Sequence, residues 1–296
     1  MSGGLALGAG ALYAGTAEKT AHIHSYDLDG RPLAAAFSFR GQADAAAKVS
    51  GLCVDSDRRL WIADKQGACL WCFSVFGKRL VQVPGDSEDR TGCLGRPVAV
   101  ASLGEDAEQE LVVASGGRRR HALHILPVEA GAGSALSLRP QGHHDKEFED
   151  AIHVDALEDK ILCCERGAGR VQVFQHREFH FAFEPEVPKG AELRCARMCA
   201  DGRFVCAFGG ESSSLLLLDR RGRLMKVLAP AGEEEGCVFE PSDLVLERGA
   251  RDAKARVWVL DRDTCRIQVF TLEGRCHGSF PEFPSRERNS GDLPLR

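Results

Sequence analysis

The chain has 296 residues, 44% of them apolar and 27% charged, with a formal net charge of −5. That apolar content excludes a disordered chain, and no run of about 18 apolar residues is present to form a membrane-spanning helix. The mild net acidity gives no global attraction to nucleic acid or to an anionic membrane.

At the start, Leu5-Ala-Leu-Gly-Ala-Gly-Ala-Leu12 is mildly apolar, but no basic segment precedes it. It is read as a first strand pair rather than a signal peptide. From there one pattern returns along the chain. The tetrads Ile23-His-Ser-Tyr26, Leu70-Trp-Cys-Phe73, Leu123-His-Ile-Leu126, Val171-Gln-Val-Phe174, Leu215-Leu-Leu-Leu218 and Ile267-Gln-Val-Phe270 end about 44 to 53 positions apart. Each follows a second apolar run: Ala11-Leu-Tyr-Ala-Gly15, Leu60-Trp-Ile-Ala-Asp64, Leu111-Val-Val-Ala-Ser115, Ile161-Leu-Cys-Cys-Glu165, Phe204-Val-Cys-Ala-Phe208 and Val257-Trp-Val-Leu-Asp261. These runs have strand length, not helix length.

Upstream of most lies a further strand, in Gly51-Leu-Cys-Val-Asp55, Pro97-Val-Ala-Val-Ala101, Ala151-Ile-His-Val-Asp155, Cys195-Ala-Arg-Met-Cys199 and Asp243-Leu-Val-Leu246. Downstream, turns such as Asp29-Gly30, Phe76-Gly77, Arg221-Gly222 and Glu273-Gly274 lead to a fourth, as in Arg79-Leu-Val-Gln-Val83 and Leu224-Met-Lys-Val-Leu228. A four-stranded antiparallel unit cannot bury both faces alone; units stacked around an axis can. The fold class predicted is all-β, a six-bladed β-propeller of four-stranded antiparallel blades. Seven blades would need units of about 42 residues, shorter than any spacing observed. The blades are set at about 1–40, 49–84, 96–138, 149–184, 193–229 and 241–280, with 281–296 as a tail. Four strands drawn from each continuous segment predict a ring closed by packing, with Phe280 and Phe283 available to staple the seam.

Val49-Ser-Gly-Leu-Cys-Val-Asp55, Leu60 to Asp64, Leu70 to Phe73 and Phe76-Gly77 together resemble an NHL repeat. So do Pro241-Ser-Asp-Leu-Val-Leu246 with 257–274, and the fourth copy through Arg170-Val-Gln-Val-Phe174. The resemblance spans roughly 1–280 and implies a six-bladed propeller; propellers host unrelated functions, so it implies no activity. The family's acid-to-Arg spacing survives in Asp261 with Arg266 and Glu165 with Arg170, where it is read as a brace within the blade. Asp64 faces Cys69 instead, and Phe208 replaces the acid.

Twelve cysteines sit largely at apolar strand positions, so they are read as free thiols packed as small hydrophobes in a cytoplasmic protein. Cys69 and Cys72 have CxxC spacing, but on a strand they point to opposite faces. Arg118, Arg119, Arg120 and His121 form the densest basic cluster, suited to an acidic protein patch or RNA. His143, His144, Asp145, Glu147, Glu149, Asp150 and His153 concentrate metal-ligand types. His153 lies in an innermost strand, and its equivalents are read as Cys53, Arg197 and Val245, which make no ligand ring. No metal and no cofactor are therefore assigned. Ser50, Arg96, Asp150, Arg194 and Ser242-Asp243 are expected to rim one mouth of a central channel. Candidate binding residues are Arg96, Arg118, Arg119, Arg120, Asp150, His153, Arg194 and Asp243, and no catalytic set is found. The expected function is a non-catalytic scaffold that binds a protein or peptide through a loop face. A metal-dependent hydrolase or lyase of the lactonase-like propeller type stands second and an RNA-binding propeller third; no membrane partner is expected.

Overall fold

A computed structural model of the chain describes residues 3–15, 22–33, 37–38, 48–85, 94–104, 108–116, 121–128, 136–138, 148–247 and 255–281. These residues form six four-stranded antiparallel sheets, each taking its strands in order from one continuous stretch of chain. The inner strands are Gly4–Gly8, Val49–Val54, Arg96–Leu103, Ala151–Leu157, Ala191–Met198 and Pro241–Leu246, and each lies beside the next around a ring that closes between the last and the first. This is the six-bladed β-propeller expected from the repeats. Among the described residues no helix is long and apolar enough to cross a membrane.

The core is six cores, one at each junction between blades. The second strand of blade 2, Arg59–Asp64, shows why the apolar runs are continuous. Leu60 and Ile62 pack toward blade 1, while Trp61 and Ala63 pack toward blade 3. Side chains alternate across a strand, so a strand covered on both faces is apolar throughout. Cys69 and Cys72 follow the same rule, one in each of these two junctions. Burial pushes both thiols up to about 12, which leaves them protonated and inert.

Buried carboxylates at the ends of second strands anchor the chain leading into the inner strands. Asp261 accepts the amides of Phe239 and Glu240 at 2.9 Å each. Glu165 accepts the Glu149 amide at 2.7 Å and a two-pronged contact from Arg170 at 2.8 and 3.2 Å. Asp64 accepts the amides of Lys48 at 3.2 Å and Gly67 at 2.8 Å, and Trp71 Nε1 donates to its other oxygen at 3.3 Å, so an indole takes the place of the arginine. Bracing is the part these groups play, and each satisfies donors that burial would otherwise strand.

Neighbouring blades also latch at their outer edges. Gly30, Gly77 and Gly222 close the turns between third and outer strands with φ of 83°, 82° and 80°, a left-handed conformation that favours glycine. Each lies against an aromatic ring from the outer strand of the preceding blade, Phe280, Phe37 and Phe183 in turn. A Cβ on Gly77 would come within 2.6 Å of the Phe37 ring. Phe280 therefore spans the seam, where it also meets Tyr26 at 5.0 Å and Trp258 at 6.0 Å between ring centroids. Phe283 lies outside the described residues. Two polar contacts reinforce this closure: the Leu5 amide to Asp243 at 2.8 Å, and Arg256 Nη1 to the Leu28 carbonyl at 2.7 Å.

Candidate functional site

The inner strands line the central channel, and in five of the six blades their pairing with the second strand slips near the start, at Ser50, Val98, Ile152, Arg194 and Ser242. A bulge inserts one unpaired residue and re-aims the side chains beside it. All five of these residues line one cavity of about 230 Å³ at a mouth of the channel. Asp150, His153 and Asp243 line it too. Four of the candidate residues, Asp150, His153, Arg194 and Asp243, thus share one cavity. Arg96 does not line it: the slip in blade 3 falls two residues later and brings Val98 to the wall instead. Arg118, Arg119 and Arg120 lie outside the described residues, as do His143, His144, Asp145 and Glu147.

The bulges also correct the alignment of His153. Counted from the slipped residue, His153 is equivalent to Asp243, and Asp155 to Arg197, so the equivalence with Cys53, Arg197 and Val245 is off by two positions. The channel residues consequently mesh as a network. His153 Nε2 lies 3.3 Å from Asp243 Oδ1. Arg197 donates to the Leu244 carbonyl at 2.8 Å, the Val154 carbonyl at 3.4 Å and Asp155 Oδ1 at 3.1 Å, with a second ion pair to Asp243 at 3.6 Å. Asp155 takes the Met198 amide at 2.8 Å, and Asp243 takes those of Leu5 and Leu244 at 2.8 Å each. All four side chains are buried, Asp155 to 1% exposure. Three blades and the seam are joined through one guanidinium.

Burial raises the Asp243 carboxyl, but the His153 hydrogen bond, the Arg197 charge and the Leu5 amide together bring it below the usual range. Burial works against the Arg197 cation, yet Asp155 and Asp243 hold it above its ordinary value. Burial, with Arg197 close by, lowers His153 in spite of its two carboxylate neighbours, so its imidazole is neutral at pH 7. With Nε2 against Asp243, the hydrogen bond assigns the proton to Nε2 and leaves Nδ1 as an acceptor. Nδ1 is buried and has no hydrogen-bond partner.

Above this network the mouth is densely charged. Lys65, Arg166, Arg194, Arg197 and Arg262 line the cavity, against the carboxylates of Asp150, Glu240 and Asp243. Those carboxylates are engaged: Asp150 with Arg166 at 2.7 Å, and Glu240 with Arg194 at 2.5 Å, Arg262 at 3.7 Å and the Gly210 amide at 3.0 Å. Lys65 is exposed and makes no ion pair among the described residues. The guanidiniums are paired in turn, Arg194 also with Glu192 at 3.0 Å, Arg262 with Asp263 at 2.8 Å and Arg197 with Asp155 at 3.1 Å, so the mouth is a ring of ion pairs without a net positive excess. At the other end of the channel a cavity of about 370 Å³ has more apolar walls, including Leu7, Leu28 and Val245. Arg197 lines both cavities and stands at the waist between them.

Asp155, Glu240 and the rim cations Lys65, Arg166 and Arg262 were not among the residues singled out from sequence, and Arg197 was named only as an equivalent of His153. Arg197 and Asp155 carried a signal, each as a charge inside an apolar inner strand. Among the described residues no three His, Cys, Asp or Glu side chains are grouped to hold a metal ion.

No protein-family model matches the chain, and no curated protein matches it in sequence. Solved structures do match in fold. A gluconolactonase from Xanthomonas campestris aligns with a TM-score of 0.58 at 13% identity, over 91% of this chain and 83% of that one. U3-55K aligns with a TM-score of 0.57 at 14% identity, over 92% and 78% of the two chains. The WD40 repeats of RRP9 align with the same TM-score and identity, over 92% and 77%. At such identities the similarity establishes the propeller fold and says nothing of activity.

Proposed function

We propose that the chain is a non-catalytic scaffold that binds a protein or peptide across the face holding this charged mouth. The observation that carries this reading is a preformed cavity walled by bulged strands of a closed ring and rimmed by guanidinium–carboxylate pairs, with the exposed ammonium of Lys65 beside them. Binding residues on a rigid ring keep their positions without a large ordering cost. The same network argues against the lactonase-like reading. A channel metal needs inward carboxylates or imidazoles free to coordinate, and Asp155 and Asp243 are instead neutralised by Arg197 and saturated by backbone amides. A fixed guanidinium between them would repel a divalent ion. The NHL-type assignment of the blades rests on the resemblance of the second, fourth and sixth, and the buried reduced thiols favour a cytoplasmic location.

The test is affinity capture with the full chain and with Lys65→Glu, a change at an exposed residue that leaves the blades intact. Partners retained by the first and lost from the second support the reading. Calcium or zinc held stoichiometrically after dialysis, together with lactone hydrolysis, would overturn it.

A further inference from the structure

The outer strand of blade 5, Leu224–Ala229, ends its sheet and pairs on one side only. Among the described residues, no backbone group of Leu224, Met225, Lys226 or Val227 bonds beyond that pairing, so the free edge is open to another strand. The pairing slips at Met225 and Leu228, and such bulges re-aim the side chains beside them. Leu224, Met225 and Val227 are 48%, 55% and 48% exposed, three apolar side chains among four consecutive residues rather than scattered ones. None of them lines either cavity of the channel.

The cations beside this edge have no carboxylate in contact. From Asp219 to Ala229 the chain carries Arg220, Arg221, Arg223 and Lys226 against one acid, Asp219. Arg220 donates to the Asp201 carbonyl and Lys226 to the Glu273 carbonyl, each at 2.6 Å, and the Glu273 carboxylate feels Arg275 more than Lys226. Asp219 is bound by the amides of Arg221 and Arg223 at 2.8 and 2.9 Å, which hold its carboxyl below the usual range. The guanidiniums of Arg221 and Arg223 are exposed and make no ion pair among the described residues. An apolar strand edge thus lies beside a true excess of positive charge, on a chain of net charge −5.

We infer that this edge binds an acidic, extended peptide segment carrying both carboxylates and aliphatic residues, added as a short fifth strand to blade 5. Its backbone bonds to the free edge, its carboxylates meet Arg221, Arg223 and Lys226, and its aliphatic side chains cover Leu224, Met225 and Val227. The slips confine the added pairing to a few residues, so charge and apolar contact supply most of the affinity. Other occupants fit less well. A second copy would bring the same cations against these, and like charges opposed across strands are destabilising. A bilayer leaves the N–H and C=O groups of an open edge unsatisfied. Single-stranded RNA is held by stacking on aromatic side chains, and this strand has none. The edge lies apart from the channel mouth and binds whether or not the mouth does.

The experiment uses a fluorescent peptide Glu-Val-Glu-Leu-Glu-Val-Glu blocked at both ends, the same peptide with Lys for each Glu, and an acidic version N-methylated at alternate residues. Binding to the full chain is measured by anisotropy at low and moderate salt, beside polyuridine and vesicles containing phosphatidylserine. Expected is a preference of about tenfold or more for the acidic over the basic peptide, weakening as salt rises. N-methylation lowers affinity several-fold. Arg221→Glu with Arg223→Glu lowers it about tenfold with an unchanged melting curve, Met225→Ser lowers it several-fold, and Lys65→Glu leaves it unchanged. Equal binding of the acidic and basic peptides, no binding of either, or indifference to N-methylation overturns the inference. Loss of binding in Lys65→Glu but not in the blade 5 variants places the peptide at the mouth, so this surface falls while the scaffold reading stands. Tighter binding of polyuridine or vesicles, or a dimer in light scattering that Met225→Ser abolishes, gives the edge to another occupant and overturns it equally.

Discussion

Replacing Arg197 with methionine removes the one cation that serves two buried carboxylates while keeping a side chain of similar length. Asp155 and Asp243 lose contacts at 3.1 and 3.6 Å, but retain the amides of Met198, Leu5 and Leu244. Removing one member of a buried ion pair costs about 3–5 kcal/mol, and the remaining amides put this case at the lower end, about 3 kcal/mol. For a chain of this size that is a fall in Tm of about 6 °C at pH 7. The pH dependence supplies an internal check. In the native protein Asp243 titrates below its unfolded value, so its contribution is present above that value and lost as pH falls through the folded one. Without Arg197, burial raises the carboxyl, its charged form destabilises the fold at pH 7, and protonation relieves the penalty. Thermal unfolding followed by circular dichroism from pH 7 to 4 should show the gap between the two proteins narrowing as pH falls. Asp155→Asn in the variant background should recover part of the loss. A variant melting within a degree of the parent at pH 7, or a gap that widens in acid, would refute the account of the channel network.

Gly222→Ala should destabilise by about 2–3 kcal/mol, because it forces a Cβ into the left-handed region at φ 80° and against the Phe183 ring; equal denaturation midpoints would count against the latch. Burial lowers His124 to about 4, so the unfolded chain binds more protons below about pH 6.5 and the fold loses up to about 3 kcal/mol as pH falls toward 4. His124→Leu should flatten that part of the stability profile relative to the parent, and an unchanged slope would dismiss His124 as its source.

The blades were legible because a strand covered on both faces leaves a continuous apolar run, and six such runs returned at a blade-like interval. Asp261 could also be understood from its relatives: set beside Glu165 and Asp64, it is a brace rather than a site. The mouth was legible only in part. Asp150, Arg194 and Asp243 were found because they open inner strands, and His153 because it lies in one beside a cluster of metal-ligand types, but a bulge changes pairing without changing composition, and nothing in Arg96-Pro-Val98 announces that the wall residue is Val98. The same slip hid the equivalence of Asp155 with Arg197. Their partnership joins residues 42 apart in sequence through geometry that alternation alone does not carry.

The double-sided burial of the middle strands has a further consequence for how the chain finds its pairing. In an ordinary half-buried strand, a slip of one residue throws apolar side chains into water and is rejected for that reason. Here the same slip would send Trp61 to the junction of Ile62, apolar for apolar, at little cost in solvation. Hydrophobicity is nearly blind to the error. The discriminating signal must come from groups with a single acceptable address, and Asp64, Glu165 and Asp261 are such groups, each buried and matched to particular amides at one end of its blade. A misaligned strand would strand its carboxylate in an apolar junction. These acids act as proofreading marks for a pattern that is otherwise ambiguous to its own neighbours.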